Sequence, residues 1–113
     1  MTLSMQALQQ PSTFAERVYA ACREIPLGKV TTYGNLAKHL RTSARAVGRA
    51  LRGNPYAPQV PCHRVVHSDG RLGGFMGQVE GAAIVCKIER LRAEGVVVHA
   101  GVVENLEEIL HRF

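Results

Sequence analysis

Acidic residues are almost missing from the middle of this chain. Between Ile25 and Val79 there is one, Asp69, against eight Lys and Arg, which leaves that stretch at about +7. The flanks hold six bases and eight acids, about −2. Also missing is any apolar run long enough to cross a bilayer. Residues Met1 to Ser12 form a polar tail that lacks the basic start and apolar middle of a signal peptide, so an intracellular location is expected. Cysteines are few and far apart. Cys22, Cys62 and Cys86 give neither the paired short spacings of a zinc site nor an even-numbered disulfide framework, and free thiols in a reducing compartment are expected. His39, His67, His99 and His111 add no ligand cluster, so no metal is expected. The glycine-rich stretch Gly73-Gly74-Phe75-Met76-Gly77 lacks the lysine and hydroxyl residue of a phosphate-binding loop. Its glycines are better suited to letting backbone approach a ligand closely. No repeat or low-complexity segment is present, and 113 residues suit one domain over 13–113 behind the tail 1–12.

What is there is a basic centre with the footprint of a polyanion-binding surface. Thr13 with Glu16 forms a capping box, and Phe14, Val18, Ala21, Cys22 and Ile25 follow at helical spacing, predicting a helix from Phe14 to about Glu24. Pro26-Leu27-Gly28 breaks it, and Lys29-Val30-Thr31 reads as a short extended piece. Thr32 can cap a second helix with Tyr33, Leu36, Ala37 and Leu40 on one side. After Arg41, either Thr42 or Ser43 can cap a third helix that runs to about Arg52. Gly53-Asn54-Pro55 stops it, because proline disfavours helical dihedrals at the residue before it. Two short helices joined by a tight turn make a helix-turn-helix candidate.

On the third helix Arg45, Arg49 and Arg52 fall within roughly 60° of one another at about 100° per residue. Val47, Ala50 and Leu51 centre on the opposite side, and Ala44, Ala46 and Gly48 supply small flanks. A basic stripe opposite an apolar one suits a helix that enters a nucleic-acid groove, and also suits a plain solvated helix. Further on, Val65-Val66 suggests a strand and Ser68-Asp69-Gly70 a turn. A helix is predicted from Ala82 to Ala93 with Ile84, Val85, Ile88 and Leu91 inward. Val96-Val97-Val98 and Val102-Val103 flank a His99-Ala100-Gly101 turn, and Leu106, Ile109, Leu110 and Phe113 mark a final amphipathic helix.

The chemistry concentrates at Pro61-Cys62-His63-Arg64-Val65. A thiol is a good nucleophile only when its ionised form is favoured, and a positioned histidine is the usual partner. A nucleophile just downstream of an arginine helix points to chemistry on nucleic acid.

Together, Val30-Thr31-Thr32-Tyr33-Gly34, Ala44-Arg45-Ala46-Val47-Gly48, Arg52-Gly53-Asn54-Pro55 and Pro61-Cys62-His63-Arg64-Val65-Val66 resemble the C-terminal domain of the O6-alkylguanine-DNA alkyltransferases. The resemblance runs from about Phe14 to Val97. It implies an α/β fold, mostly α, with a helix-turn-helix or winged-helix-like core and a small sheet or hairpin. It also implies a monomer that binds double-stranded DNA containing O6-alkylguanine, uses no cofactor and transfers the alkyl group once to its own Cys62. His63 would be the base, acting through a water, and Glu94 would orient the imidazole. Asn54 would brace the turn into the active-site loop, and Tyr33 would help rotate the nucleotide and offer a proton to the departing guanine. Arg45 would fill the gap left in the base stack. Ala44, Ala46 and Gly48 would seat the helix in the minor groove, with Arg49, Arg52, Thr32 and Tyr33 also at the DNA. Val65, Phe75, Met76 and Lys87, with Tyr33, would form the base pocket. The location implied is cytoplasmic and nucleoid-associated, or nuclear in a eukaryote.

The chain departs from the family pattern in places. Phe75 stands where tyrosine is frequent and Met76 where serine is frequent, and Gln78 to Val85 is longer than usual by about five residues. The short stretch before the first helix resembles the alkyltransferase-like proteins, which bind alkylated guanine without the cysteine and flag it for excision repair. A helix-turn-helix regulator with no chemistry is the other alternative.

Overall fold

Three side-chain caps start the three N-terminal helices of the computed structural model, which describes residues 13–56, 59–75 and 80–113. The tail 1–12 and Met76 lie outside the described residues. Thr13 Oγ1 accepts from the Glu16 amide at 3.1 Å and opens α1 (Phe14–Arg23). Thr32 Oγ1 accepts from Asn35 N at 2.9 Å and opens α2 (Tyr33–Leu40). Of the two candidates before α3 (Ala44–Arg52), Ser43 is the cap, its Oγ accepting from Ala46 N at 3.1 Å. Each cap satisfies an otherwise orphaned donor and contributes about 1 kcal/mol. Between α2 and α3 the chain turns at Arg41, whose φ of 58° is the left-handed conformation that ends a helix abruptly.

The apolar stripes of these helices close on one another. Val18, Ala21, Cys22 and Ile25 meet Leu36, Ala37 and Leu40, with Val47 and Leu51 from α3. Phe14 is at the rim, 37% exposed. Tyr19 adds a link not legible in the periodicity, its hydroxyl donating to Ala50 O at 2.9 Å across to α3. The same cluster includes Val60, Cys62, Val65 and Phe75, so the conspicuous cysteine rests on the helix-turn-helix core.

A second cluster gathers Val30, Val66, Leu72, Leu91, Val96, Val98 and Val103. Its frame is two short sheets. β1 (Thr31–Thr32) pairs parallel with β2 (Val65–Val66), Thr31 opposite Val65 and Thr32 opposite Val66. β3 (Val98–His99) and β4 (Val102–Val103) form an antiparallel hairpin. His99 belongs to the strand, and the turn is the two residues Ala100 and Gly101, both at positive φ, which matches the right-handed strand twist. Between the sheets lies α4 (Ala82–Ala93), which contradicts one expectation: Val85 is half exposed, and Lys87 takes a fully buried place beside Leu91.

The last helix is shorter than its apolar spacing suggests. α5 covers only Leu106–Ile109. Leu110 is extended and bridges Val30 in parallel, while Val30 N donates to Ile109 O at 2.9 Å and His111 N donates to Val30 O at 2.6 Å. The unpaired edge of the strand supplies main-chain partners that another helical turn would forgo. Phe113 then stacks on His39 with ring centres 4.4 Å apart. No helix among the described residues is long and apolar enough to cross a membrane.

Candidate functional site

The chain leaves α3 through a braced turn. Asn54 Nδ2 donates to Val60 O at 3.1 Å, and Asn54 Oδ1 accepts from Tyr56 N at 2.9 Å. This single amide spans the segment between the arginine helix and Cys62. Pro61 leads into one turn of 3-10 helix (Cys62–Arg64), with Arg64 N donating to Pro61 O at 2.9 Å. β2 follows at once, so its pairing with β1 fixes where the turn sits. Cys62 is 6% exposed and His63 3%.

Behind the turn is a polar relay. His63 Nε2 and Glu94 Oε2 are 2.9 Å apart. An ionised carboxylate can only accept, so Nε2 carries the proton and Nδ1 keeps a bare lone pair. That Nδ1 is buried with no hydrogen-bond partner among the described residues. Glu94 is held from its other side by Arg64, whose Nε reaches Oε1 at 2.9 Å and whose Nη2 reaches Oε2 at 2.7 Å. Arg64 Nη1 donates to Ile25 O at 2.7 Å, anchoring the fork to the end of α1. Burial alone would raise the Glu94 carboxyl, but the hydrogen bonds from Arg64 and His63 outweigh it and hold it below its ordinary value. Burial lowers His63, and Glu94 only partly opposes this, so the imidazole is neutral near pH 7. The result is a neutral imidazole of fixed tautomer on the residue that follows Cys62.

Tyr33, at the start of α2, is pushed up to about 12, by burial first and then by the nearby Cys62. It is therefore a proton donor at any ordinary pH. Its ring lies 5.2 Å from that of His67. A Cβ on Gly73 would fall 3.0 Å from His67 Nε2 and 3.1 Å from the Tyr33 hydroxyl, and Gly73 has φ of 71°. Only glycine fits there without strain.

Lys87 was expected in the base pocket. It is fully buried, and its Nζ donates to the carbonyls of Val65 (2.8 Å), Leu72 (2.5 Å) and Gly74 (3.1 Å). It ties β2 to the glycine stretch, and burial pulls it down to about 8. Val65 and Phe75 are both buried in the cluster that holds Cys62. Met76, the other expected pocket residue, is not described.

On α3, Ala44, Arg45, Arg49 and Arg52 are exposed, Ala46 and Gly48 half-buried, and Val47 and Leu51 buried. The basic stripe thus stands clear on the outer face. Thr32 does not join it: the side chain is buried, and its hydroxyl is engaged in capping α2. Sequence reasoning missed Arg64 and Arg90. No local signal marks either: Arg64 lies in a motif read for Cys62 and His63, and Arg90 stands between Glu89 and Arg92 as on a solvated face. A separate hollow of about 290 Å³, lined by Asn35, Lys38, His39, Arg112 and Phe113, contains none of the expected site residues.

Cys62 and the hydrogen-bonded pair His63–Glu94 thus sit against a helix-turn-helix core. The family model for the DNA binding domain of 6-O-methylguanine DNA methyltransferase matches residues 13–96. The chain belongs to this family. Its relatives in the methyltransferase family include a DNA base-flipping protein from Thermus thermophilus, 49% identical over 81 residues, covering 72% of this chain and 52% of that protein. A methylated-DNA–protein-cysteine methyltransferase from Sulfolobus acidocaldarius is 41% identical over 86 residues, covering 76% and 55%. The chain spans about half the length of the curated relatives it matches. Among solved structures it is similar to S. pombe Atl1 in complex with damaged DNA containing O6-carboxymethylguanine, with a TM-score of 0.76 and 34% identity, covering 88% of this chain and 95% of that one. It is also similar to the O6-methylguanine-DNA methyltransferase of Pyrococcus kodakaraensis, with a TM-score of 0.66 and 44% identity, covering 75% and 47%. The mostly helical architecture with a small two-stranded sheet is the fold of this methyltransferase family.

Proposed function

We propose that this chain binds duplex DNA through α3 in the minor groove, rotates an O6-alkylguanine out of the stack and takes its alkyl group onto Cys62. The observation that carries this reading is the relay: a free Nδ1 on His63, with Nε2 held by Glu94. In the transfer, the Cys62 proton passes through a water to His63 Nδ1. The thiolate sulfur bonds to the alkyl carbon as the carbon–O6 bond breaks, and its electron pair leaves with guanine, which takes a proton from Tyr33. The imidazolium proton then restores the tyrosine. The thioether has no easy hydrolytic exit, so each molecule reacts once and needs no cofactor.

The test is intact-protein mass measurement after incubation with a duplex carrying one O6-methylguanine, with Cys62→Ala as control. One added methyl group mapped to Cys62 is the expected result. Lesion-selective binding without transfer would instead support a second reading, a lesion sensor. Two observations favour that alternative: similarity to a protein named for base flipping, and similarity to Atl1 over 95% of its length. Absence of both transfer and lesion preference would leave a plain DNA-binding regulator.

The exposed arginines should separate by role. Arg49→Ala and Arg52→Ala should weaken binding to damaged and undamaged duplexes alike. For every phosphate no longer neutralised, the slope of log affinity against log salt should become shallower by about 0.9. Arg45→Ala should instead reduce the preference for the damaged duplex, because the stack would no longer be filled. Fluorescence anisotropy on both duplexes at several salt concentrations checks this. Equal losses of lesion preference in all three variants would contradict it.

A further inference from the structure

Resting on the reading of the Cys62 site above, we propose that Arg90 is a specificity determinant that favours O6 adducts ending in a carboxylate over neutral alkyl groups. Ala83, Lys87, Arg90 and Glu94 follow one another at helical spacing along a single face of α4 and its C-terminal cap. The two residues flanking Arg90 on this face both hold the segment around the Cys62–Arg64 turn: Lys87 bonds Val65 O just after it, and Glu94 bonds His63 within it. Arg90 therefore faces the reacting segment.

Its guanidinium carbon lies 5.5 Å from the centre of the Phe75 ring, and Phe75 is buried in the cluster that contains Cys62. A guanidinium over an aromatic face is held in place by the ring quadrupole. The Arg90 charge also reaches His63, where it disfavours the protonated imidazole. No anion within the described residues answers this charge. Both Glu94 oxygens are already taken by Arg64 and His63. Arg90 Nη1 is buried and has no hydrogen-bond acceptor among the described residues. A buried cationic donor without a partner is rare and costly, and one next to a reactive centre is suited to an acceptor that arrives with the substrate. A carboxylate attached through one carbon to guanine O6 has that chemistry. It would form the short, charge-assisted contact that a methyl or hydroxyethyl group lacks.

The test measures equilibrium binding to duplexes carrying O6-carboxymethylguanine or O6-(2-hydroxyethyl)guanine, which are close in size and differ in charge. The Cys62→Ala background prevents transfer from depleting the complex. The readout is the ratio of the two affinities, which cancels general effects on folding or DNA contact. Arg90→Leu should lower the carboxymethyl-to-hydroxyethyl ratio by about tenfold or more. Arg90→Gln, which stays polar and keeps a donor, should lower it similarly, since the charge is what it lacks. A ratio unchanged in the leucine variant, or retained in the glutamine variant, overturns the proposal. If the parent protein shows no preference for either adduct over undamaged duplex, the alkylguanine reading itself fails. If lesion preference is intact and the ratio is indifferent to Arg90, only the role of Arg90 fails.

Discussion

Glu94→Gln should slow alkyl transfer to Cys62 by about 10²–10⁴-fold, the upper end being the loss when a triad histidine loses its orienting carboxylate. The carboxylate offers two oxygens, and both are in use, by the Arg64 fork and by His63 Nε2. An amide has one acceptor and one donor group. Arg64 competes for the acceptor, which leaves the imidazole facing an N–H. The tautomer with hydrogen on Nδ1 then becomes favourable, and the bare lone pair next to Cys62 is lost. The pH profile tests the same idea separately. Burial already places the His63 acid limb below the ordinary histidine value near 6.5, and Glu94 partly offsets that burial. Removing Glu94 should move the acid limb lower still while depressing the plateau. Single-turnover rates by intact mass between pH 5 and 8 measure both effects. A variant within threefold of the parent rate, with an unmoved acid limb, would rule out Glu94 as the orienting group.

The same substitution should cost about 2 kcal/mol of folding stability, because it weakens a largely buried, bidentate pair with Arg64. The folded Glu94 value is depressed, so this contribution is fully present above the ordinary glutamate range. It is lost as pH falls through the lower folded value.

The sequence made the helices legible because their signals are local. A hydroxyl three residues ahead of an amide, an apolar stripe every three or four residues and a proline after a glycine each act within one turn of chain. Thr13, Thr32 and Ser43 cap the helices expected of them. What was not legible was set by distant backbone. The parallel pairing of Thr31–Thr32 with Val65–Val66 joins two-residue strands, too short to show any period. The end of α5 depends on the free edge at Val30, which local propensity does not register. At the site, Cys62, His63 and Glu94 were expected from the motif and the family resemblance, and the structure brings His63 and Glu94 together. The second anchor of Glu94 was not found, since nothing local in Arg64 distinguishes a buried fork from a solvated side chain. Thr32, expected at the DNA beside Tyr33, turns its side chain into the core, where its hydroxyl caps α2.

The choice between transferase and sensor turns on whether the thiol can be deprotonated at the moment a base is seated. Retention of Cys62 is not sufficient by itself. In the proposed transfer the neutral His63 would serve as base for the thiol, and Tyr33, which stays protonated, as acid for the leaving guanine. This pairing of opposite proton roles around one buried sulfur is why transfer is the first reading.

Lys87→Met should destabilise the fold by about 3 kcal/mol or more at pH 7. Methionine fills nearly the same volume, so the loss does not come from a cavity. It comes from the carbonyls of Val65, Leu72 and Gly74, which would be left in a dry interior without their common donor. Those carbonyls join β2, which follows directly on the Cys62 turn, to the glycine stretch beside Tyr33, so the defect should also loosen the site. The pH dependence has an unusual sign. Burial lowers Lys87 from 10.5 to about 8, so between these values the unfolded chain holds a proton that the folded chain has released. Folding of the parent protein therefore gains up to about 3 kcal/mol from this group as pH rises through that window. Tyr33 and Cys22, both pushed up to about 12, work in the opposite direction over overlapping pH, so the parent curve alone does not isolate the lysine. The difference between parent and Lys87→Met does, because the two acids are common to both. Urea unfolding at pH 7, 8, 9 and 10 should show the variant's deficit widening with pH. A deficit that stays constant would mean that the lysine keeps its proton in the fold. A deficit that shrinks would mean that its three carbonyl partners outweigh the cost of burying the charge.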